Sequence, residues 1–394
     1  MDELRRPAPE ADLAAAAGRD RGRRGRPDVS DHADQAAWLG GLIVSAVSLR
    51  NIRSYARLDL DLRPGLVLVV GENGAGKTNL LESLHVGTQG FSPRTRADAQ
   101  LVRFGERAGR VALKGARGGT PLELELTIEV GAAKQGKVNG APLRAAEQLR
   151  TEVATLVFTP DRLAVVKGGP AVRRAYFDRA LGRLGPARAQ LSIEYGAALA
   201  QRNAALRRVA GGFSSRDALT PWTEQVAALG RQLVEARSEV LAALAPGFAE
   251  RADELGLPGA RMTYDGEPPT VAALEARFDR DVERGSTGLG PHLDDVVLTS
   301  ATRDLRSFGS QGEQRLTVLA LLLAEAELIA ERRGFPPLLL LDDVLSELDP
   351  NRRRVLAERV QGVGQTLVTA TQASSLPVDP ALLLEVTPGL VRAA

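Results

Sequence analysis

Residues 71–78 read Gly-Glu-Asn-Gly-Ala-Gly-Lys-Thr and follow directly on the apolar run Leu66-Val67-Leu68-Val69-Val70. A buried strand that turns through a glycine loop into a helix is the setting in which G-x-x-x-x-G-K-T holds phosphates. Gly71, Gly74 and Gly76 reach backbone angles that other residues resist, so the loop can wrap a phosphate chain. Its amides then point inward, and the new helix adds its positive end. In this pattern Lys77 reaches the β- and γ-phosphates and Thr78 offers a hydroxyl to Mg²⁺. Glu72, Asn73 and Ala75 complete the loop, and Asn79 opens a helix expected over 79–85. The chain holds 5 lysines against 46 arginines, so a lysine at this point is not incidental. A glycine turn carrying a solvated lysine would explain the letters, but not the strand before them and the helix after.

Length and composition narrow the class. A chain of 394 residues suggests two or three domains with ample core. Apolar residues make up 44% and charged residues 25%, a globular profile. The absence of cysteine rules out a disulfide framework and thiolate metal sites. Three histidines (His32, His85, His292) are too few for an imidazole metal centre. The apolar stretch Leu316–Ala330 is interrupted by Glu325 and Glu327 and is too short to span a bilayer. No secretory apolar region opens the chain, so a cytoplasmic protein is expected. A net charge of +2 permits a nucleic-acid partner without requiring one.

Residues 1–41 lack apolar periodicity and cannot bury a core. Through residue 40 they carry 7 arginines against 8 acids. A disordered extension is expected; a basic DNA-binding tail built on Arg19–Arg26 is the alternative. Strand patterns follow at Ile43–Leu49, Leu58–Leu62, Leu66–Val70, Val111–Leu113, Leu122–Val130 and Val153–Phe158. From about Pro170 to Arg284 the pattern reads as helical. Trp222, Val226, Leu229, Leu233, Ala236, Val240 and Ala243 step by four and three, which predicts a short seam. Its partner would be a helix within 171–209 carrying Ala180, Leu191, Ala198 and Leu206. Sheet returns at Val296–Leu298, a helix is expected over Gln311–Arg332, and Leu338–Leu341 reads as a strand covered on both faces. Gln365–Ala370 is expected to be the last strand. The predicted organisation is an extension (1–41), two halves of one α/β domain (42–165 and 289–394), and a helical arm (166–288) inserted between them.

The apolar strand Leu338–Leu341 ends in Asp342 and Asp343. Beside a phosphate loop, the first acid at such a strand end holds Mg²⁺ and the next can orient the attacking water. Asp342 is therefore assigned to metal and Asp343 to catalysis. Ser346-Glu347-Leu348-Asp349 follows at once. Ahead of the strand lies Ser310-Gln311-Gly312-Glu313-Gln314, where a serine and a glycine open a long helix and expose amides to an anion. If the phosphate loop already holds the nucleotide, this second anion site has no phosphate in its own chain. A head-to-tail pair of protomers would supply one, sandwiching two ATP molecules. An ordinary helix cap explains the local motif equally well.

Taken together, Gly71–Asn79, Ser310–Gln314, Leu338–Asp343 and Ser346–Asp349 resemble the Walker A, signature, Walker B and D-loop elements of ABC-type ATPases. The closer resemblance is to the RecF family, bacterial recombination and repair ATPases related to SMC proteins. It rests on Leu49–Tyr55, Lys77–Glu82, Phe158–Asp161, Gly168–Pro170 with Arg173-Arg174, and Gly290–Asp295. It spans about 42–390. The resemblance implies an ABC-type ATPase head, split in sequence around a short helical arm. It also implies ATP and Mg²⁺ as cofactors and an ATP-dependent homodimer. DNA with gaps or single-strand/double-strand junctions would be bound, RecO and RecR would be partners in loading RecA, and hydrolysis would be slow and DNA-stimulated. Arg53, Arg94, Arg96 and Arg103 are the candidate DNA-phosphate contacts. Three departures stand out. Asp343 replaces the usual glutamate, Pro160-Asp161 occupies the place of the Q-loop glutamine, and Thr369 or Thr371 stands where a switch histidine is expected. Two other readings remain open: an ABC-type ATPase driving a membrane transporter, and a DNA-binding module whose ATP is never cleaved.

Overall fold

The computed structural model describes residues 42–362 and 364–394; the extension expected over 1–41 lies outside the described residues. The first half of the chain forms β1 (Leu42–Ile52), β2 (Tyr55–Asp61), β3 (Leu66–Val70), α1 (Lys77–Gln89), β4 (Ala108–Arg117), β5 (Thr120–Glu129), β6 (Gln135–Val138), β7 (Ala141–Pro142) and β8 (Thr155–Phe158). The long helices that follow are α2 (Pro170–Leu184), α3 (Leu191–Ala210) and α4 (Thr220–Glu254), and after them come β9 (Ala260–Asp265), β10 (Asp295–Ser300) and β11 (Arg303–Asp304). The remainder is α5 (Gln311–Arg333), β12 (Leu338–Leu341), α6 (Pro350–Gln361), β13 (Thr366–Ala370), β14 (Leu382–Thr387) and β15 (Leu390–Ala393).

Two six-stranded sheets enclose α1. One is antiparallel in the order β2-β1-β4-β5-β6-β7; the other runs β15-β14-β3-β13-β12-β8. In the second sheet β14, β3, β13, β12 and β8 are parallel, and only β15 is antiparallel. Its strands read as continuous apolar runs because both faces are covered. Val67, Val69, Leu338, Leu340 and Leu367 face α1 and the antiparallel sheet. Leu66, Leu68, Leu339, Leu341 and Val368 face the helical side. The alternation of β4 and β5 buries Val111, Leu113, Leu124 and Leu126 in the α1 core. The fit there is close: a Cβ on Gly87 of α1 would lie 2.7 Å from Val111 Cγ1.

Two expectations are corrected. Gln365–Ala370 is not the last strand, since β14 and β15 follow it and β14 pairs in parallel with β3. Nor is 170–284 helical throughout, because it contains β9, which pairs with β10 in a three-stranded sheet. The helix expected over 79–85 begins at Lys77 and reaches Gln89.

The α4 seam also turns relative to the expected heptad. Val226, Leu233, Ala236 and Val240 are buried, while Trp222, Leu229 and Ala243 are only half-buried. Gly230, Val234, Arg237, Leu241 and Leu244 join the buried stripe. The stripe is wide because α4 packs on α5 as well as on α2 and α3. Arg237 is tolerated inside because Asp178 meets it with two hydrogen bonds, of 2.8 and 2.9 Å. Deeper in the arm, Arg202 pairs with the fully buried Asp281 at 2.9 Å.

Candidate nucleotide site

The site forms where β3, β13 and β12, three neighbouring parallel strands, reach their C-terminal ends. β3 runs into the glycine loop. Gly71 lies so close to β14 that a Cβ would sit 2.3 Å from the Val386 carbonyl oxygen. Gly76 has φ +118°, and a Cβ there would lie 3.0 Å from the Tyr55 hydroxyl. That hydroxyl, on a fully buried ring, donates to the Gly76 carbonyl at 3.0 Å. Asn79 donates to Ser54 Oγ at 3.0 Å, so the β1–β2 turn braces both the end of the loop and the start of α1.

Lys77 Nζ curls into the loop and donates to the carbonyls of Gly71 (2.6 Å) and Glu72 (2.9 Å). Partial burial pushes its pKa down, against the opposing pull of Asp342 and Asp343. Thr78 Oγ1 donates to the Asp342 carboxylate at 2.9 and 3.1 Å. Burial pushes the Asp342 carboxyl up, and hydrogen bonds from Thr369 and Thr78 partly offset that push. One hydroxyl and one carboxylate, with other positions left to phosphate and water, is the oxygen donor set that suits Mg²⁺. Among the described residues no cluster of three or more His, Cys, Asp or Glu side chains offers a protein-only metal cage.

Asp343 is exposed, and its backbone takes the left-handed conformation, φ +50°, which is unfavourable for a residue with a Cβ. It is held from both sides. Thr369 Oγ1 accepts its amide at 2.8 Å, and Arg315 Nη2 donates to its carbonyl at 2.6 Å. Of the two threonines considered at the end of β13, Thr369 is the buried one and reaches the acids; Thr371 is exposed. Arg315 also pairs with Glu347 at 2.5 Å. Sequence reasoning passed over Arg315, although it directly follows the Ser310–Gln314 motif. Pro160-Asp161 leaves β8 next to this site, where the Phe158 carbonyl accepts the Asp342 amide at 2.9 Å.

Ser310–Gln314 forms a full capping box. Glu313 donates its amide to Ser310 Oγ (3.2 Å), and Ser310 donates its amide to Glu313 Oε2 (2.8 Å). Ser310, Gln311 and Gly312 are exposed, whereas Gln314 is buried and donates to the Leu305 carbonyl at 3.0 Å. These hydrogen bonds stay local, and among the described residues none reaches the glycine loop. Ser346 Oγ donates to the Asp343 carbonyl at 3.2 Å, and Asp349 caps α6 by accepting the Arg352 amide at 3.0 Å.

The arginines considered as phosphate contacts divide into two pairs. Arg96 and Arg103 are exposed. Arg53 is instead committed to the buried Glu82, with bonds of 2.9 and 2.8 Å, and Arg94 reaches the same carboxylate at 3.2 Å. Burial pushes Glu82 up, but hydrogen bonds from Arg53 and Ser92 and the charges of Arg53 and Arg94 together hold it below the usual range. A buried carboxylate needs such partners, and this need turns Arg53 inward, while Arg94 reaches Glu82 from an exposed position.

Known proteins share this architecture. The family described as "RecF/RecN/SMC N terminal domain" matches residues 43–382. The DNA replication and repair protein RecF of Heliobacterium modesticaldum is 36% identical over 347 residues, covering 83% of this chain and 92% of its own length. The protein of the same name from Frankia alni is 37% identical over 358 residues, covering 84% and 94%. A solved structure of the recombination mediator protein RecF with ATP, in the RecFOR pathway, superposes with a TM-score of 0.81 at 26% identity, covering 90% of this chain and 98% of that one. An Smc head domain from Pyrococcus furiosus shares the fold at a TM-score of 0.55 and 16% identity, covering 90% and 96%.

Proposed function

The chain belongs to the RecF family, and on that premise we propose that it is an ATP-gated DNA-binding protein of recombinational repair and replication-gap maintenance. The observation that carries this reading is the convergence of Lys77, Thr78, Thr369, Asp342 and Asp343 at the ends of three adjacent strands. In this reading the amides of Gly71–Asn79 cradle the triphosphate, and Lys77 exchanges its loop carbonyls for phosphate oxygens. Thr78 and Asp342 hold Mg²⁺, which neutralises phosphate charge when bound. Asp343 accepts a hydrogen bond from the attacking water and aims it.

The helix capped by Ser310 serves the nucleotide of a second protomer, with the exposed Ser310, Gln311 and Gly312 facing it. Closing the dimer on two ATP molecules assembles the DNA-binding surface, and hydrolysis releases it. For this gate to work, ATP must bind the closed dimer more tightly than the open monomer. Gapped or junction DNA is the ligand, RecO and RecR are the partners, and loading of RecA is the outcome. Asp343 is shorter than glutamate and holds the water less closely, so turnover is slow; DNA that favours the closed dimer stimulates it.

Turnover and DNA retention, each measured with and without the other ligand, test the proposal. Gapped duplex is expected to raise hydrolysis several-fold and to be retained only with ATP. Hydrolysis indifferent to DNA, together with retention indifferent to ATP, would overturn it.

A further inference from the structure

Beside the nucleotide site, the segment after α1 and the turn after β8 face α2 across a cleft of about 410 Å³. Its walls carry Arg94, Arg96, Arg162 and Arg179, with Phe91 and Thr159 between them. A second cavity of about 150 Å³ shares Phe91 and Arg179 and adds Arg150, Arg183 and Arg333. Carboxylates do not balance this charge. Glu82 meets Arg94, Asp178 is taken by Arg237 and Glu325 by Arg183 and Tyr176, which leaves the exposed Asp161 for Arg96, Arg162 and Arg179. Among the described residues, neither the Arg162 nor the Arg179 guanidinium makes an ion pair or a side-chain hydrogen bond. Burial pushes the Arg162 pKa down to about 10, and repulsion from Arg179 and Arg183 adds to the push. Grouping unpaired arginines in this way costs stability in the free protein, and bound anions remove that cost.

We propose that this cleft binds the phosphodiester backbone of a single strand of nucleic acid, with Arg162 and Arg179 as phosphate contacts. The proposal rests on the reading of the chain as a DNA-binding protein. The volume of the cleft lies within the range of pockets that take a small organic ligand, roughly 300–1,000 Å³, which is room for a nucleotide unit of one strand. Arginines lining a groove around an aromatic ring are the composition with which single strands are held through backbone charge and base stacking. Phe91 supplies the ring; it is half-buried and packs edge-on against His85 at 5.2 Å.

The test uses the full chain and a fluorescein-labelled oligothymidylate, followed by anisotropy across a salt titration. Arg179→Gln, at an exposed position, and the double variant Arg162→Gln/Arg179→Gln are compared with wild type, with ATP affinity and thermal unfolding as controls on folding. The double variant is expected to bind about tenfold more weakly, with its salt slope flattened by about 0.7 for each phosphate lost. Arg179→Gln alone should lose about half of the slope change, and ATP affinity should stay at the wild-type value. Wild-type affinity and slope in both variants overturn the cleft proposal while leaving DNA binding intact elsewhere. Tripolyphosphate that occupies the cleft without displacing the oligonucleotide overturns it too, because the site then takes a free polyanion. A wild-type chain that binds no DNA in any nucleotide state removes the functional reading itself.

Discussion

Thr369 Oγ1 donates a 2.8 Å hydrogen bond to Asp342 Oδ1 and accepts one of 2.8 Å from the Asp343 amide. One hydroxyl on β13 thereby orients both acids at the end of β12. A histidine is the switch residue expected at this strand end, yet the threonine does positional work that the bare sequence does not reveal.

Removing that hydroxyl has a pH signature. Burial already raises the Asp342 carboxyl, and Thr369→Val withdraws a hydrogen bond that stabilises the ionised form. Mg²⁺-dependent ATP binding needs the carboxylate, so affinity should fall with decreasing pH and fall at a higher pH in the variant. The linkage to folding has the opposite sign. Because the folded-state value is raised, stability falls as pH rises from the unfolded value through the folded one, and falls further in the variant. Superimposable affinity profiles against pH would contradict this role for Thr369.

Arg53 and Arg96 should separate cleanly. Arg53→Ala removes two hydrogen bonds from the buried Glu82 and should cost about 2 kcal/mol of stability. Arg96→Ala, at an exposed position, should leave stability within about 0.5 kcal/mol. The Glu82 contribution is complete above its unfolded pKa and disappears as pH falls through the depressed folded value. Arg53→Ala raises that folded value, so acid unfolding should begin at a higher pH. Chemical denaturation at several pH values checks both effects; equal stabilities for the two variants would rule out the pairing.

Arg315 should split binding from turnover. It holds the strained Asp343 backbone from the carbonyl side, and among the described residues it makes no hydrogen bond or ion pair with the glycine loop. Arg315→Met should leave ATP affinity near the wild-type value and slow hydrolysis roughly 10- to 100-fold, the scale on which small misplacements act. Lysine should rescue poorly, since a single ammonium cannot reproduce the fork that spans Asp343 and Glu347. Single-turnover hydrolysis beside ATP titration gives both quantities, and unchanged turnover would remove Arg315 from this role.

What could be read from the sequence was what is local in the chain. The glycine loop, the strand ending in Asp342 and Asp343, and the serine-capped helix each lie within a few residues, and the structure forms each element where the pattern put it. β14 was missed because Leu382-Leu383-Leu384 is short, follows Pro380, and becomes a strand only by pairing with β3. β9 was missed because its half-buried alternation sits between helices and is completed by β10, thirty residues on. The inward turn of Arg53 depends on Glu82, which is 29 residues away in sequence. A side-chain pairing at that range leaves no periodic trace. Tyr55 lay inside a stretch that carried the family resemblance, but its grip on the Gly76 carbonyl comes from the packing of the β1–β2 turn against the loop.

In the proposed dimer each triphosphate is held between the glycine loop of one protomer and the Ser310 helix of another. Sedimentation velocity of Asp343→Asn, run without nucleotide, with ADP and with ATP, reads this shared site. A shared site requires a monomer in the first two conditions and a dimer with ATP, lost again when Lys77→Ala is added. A boundary that sediments identically in all three conditions would contradict it.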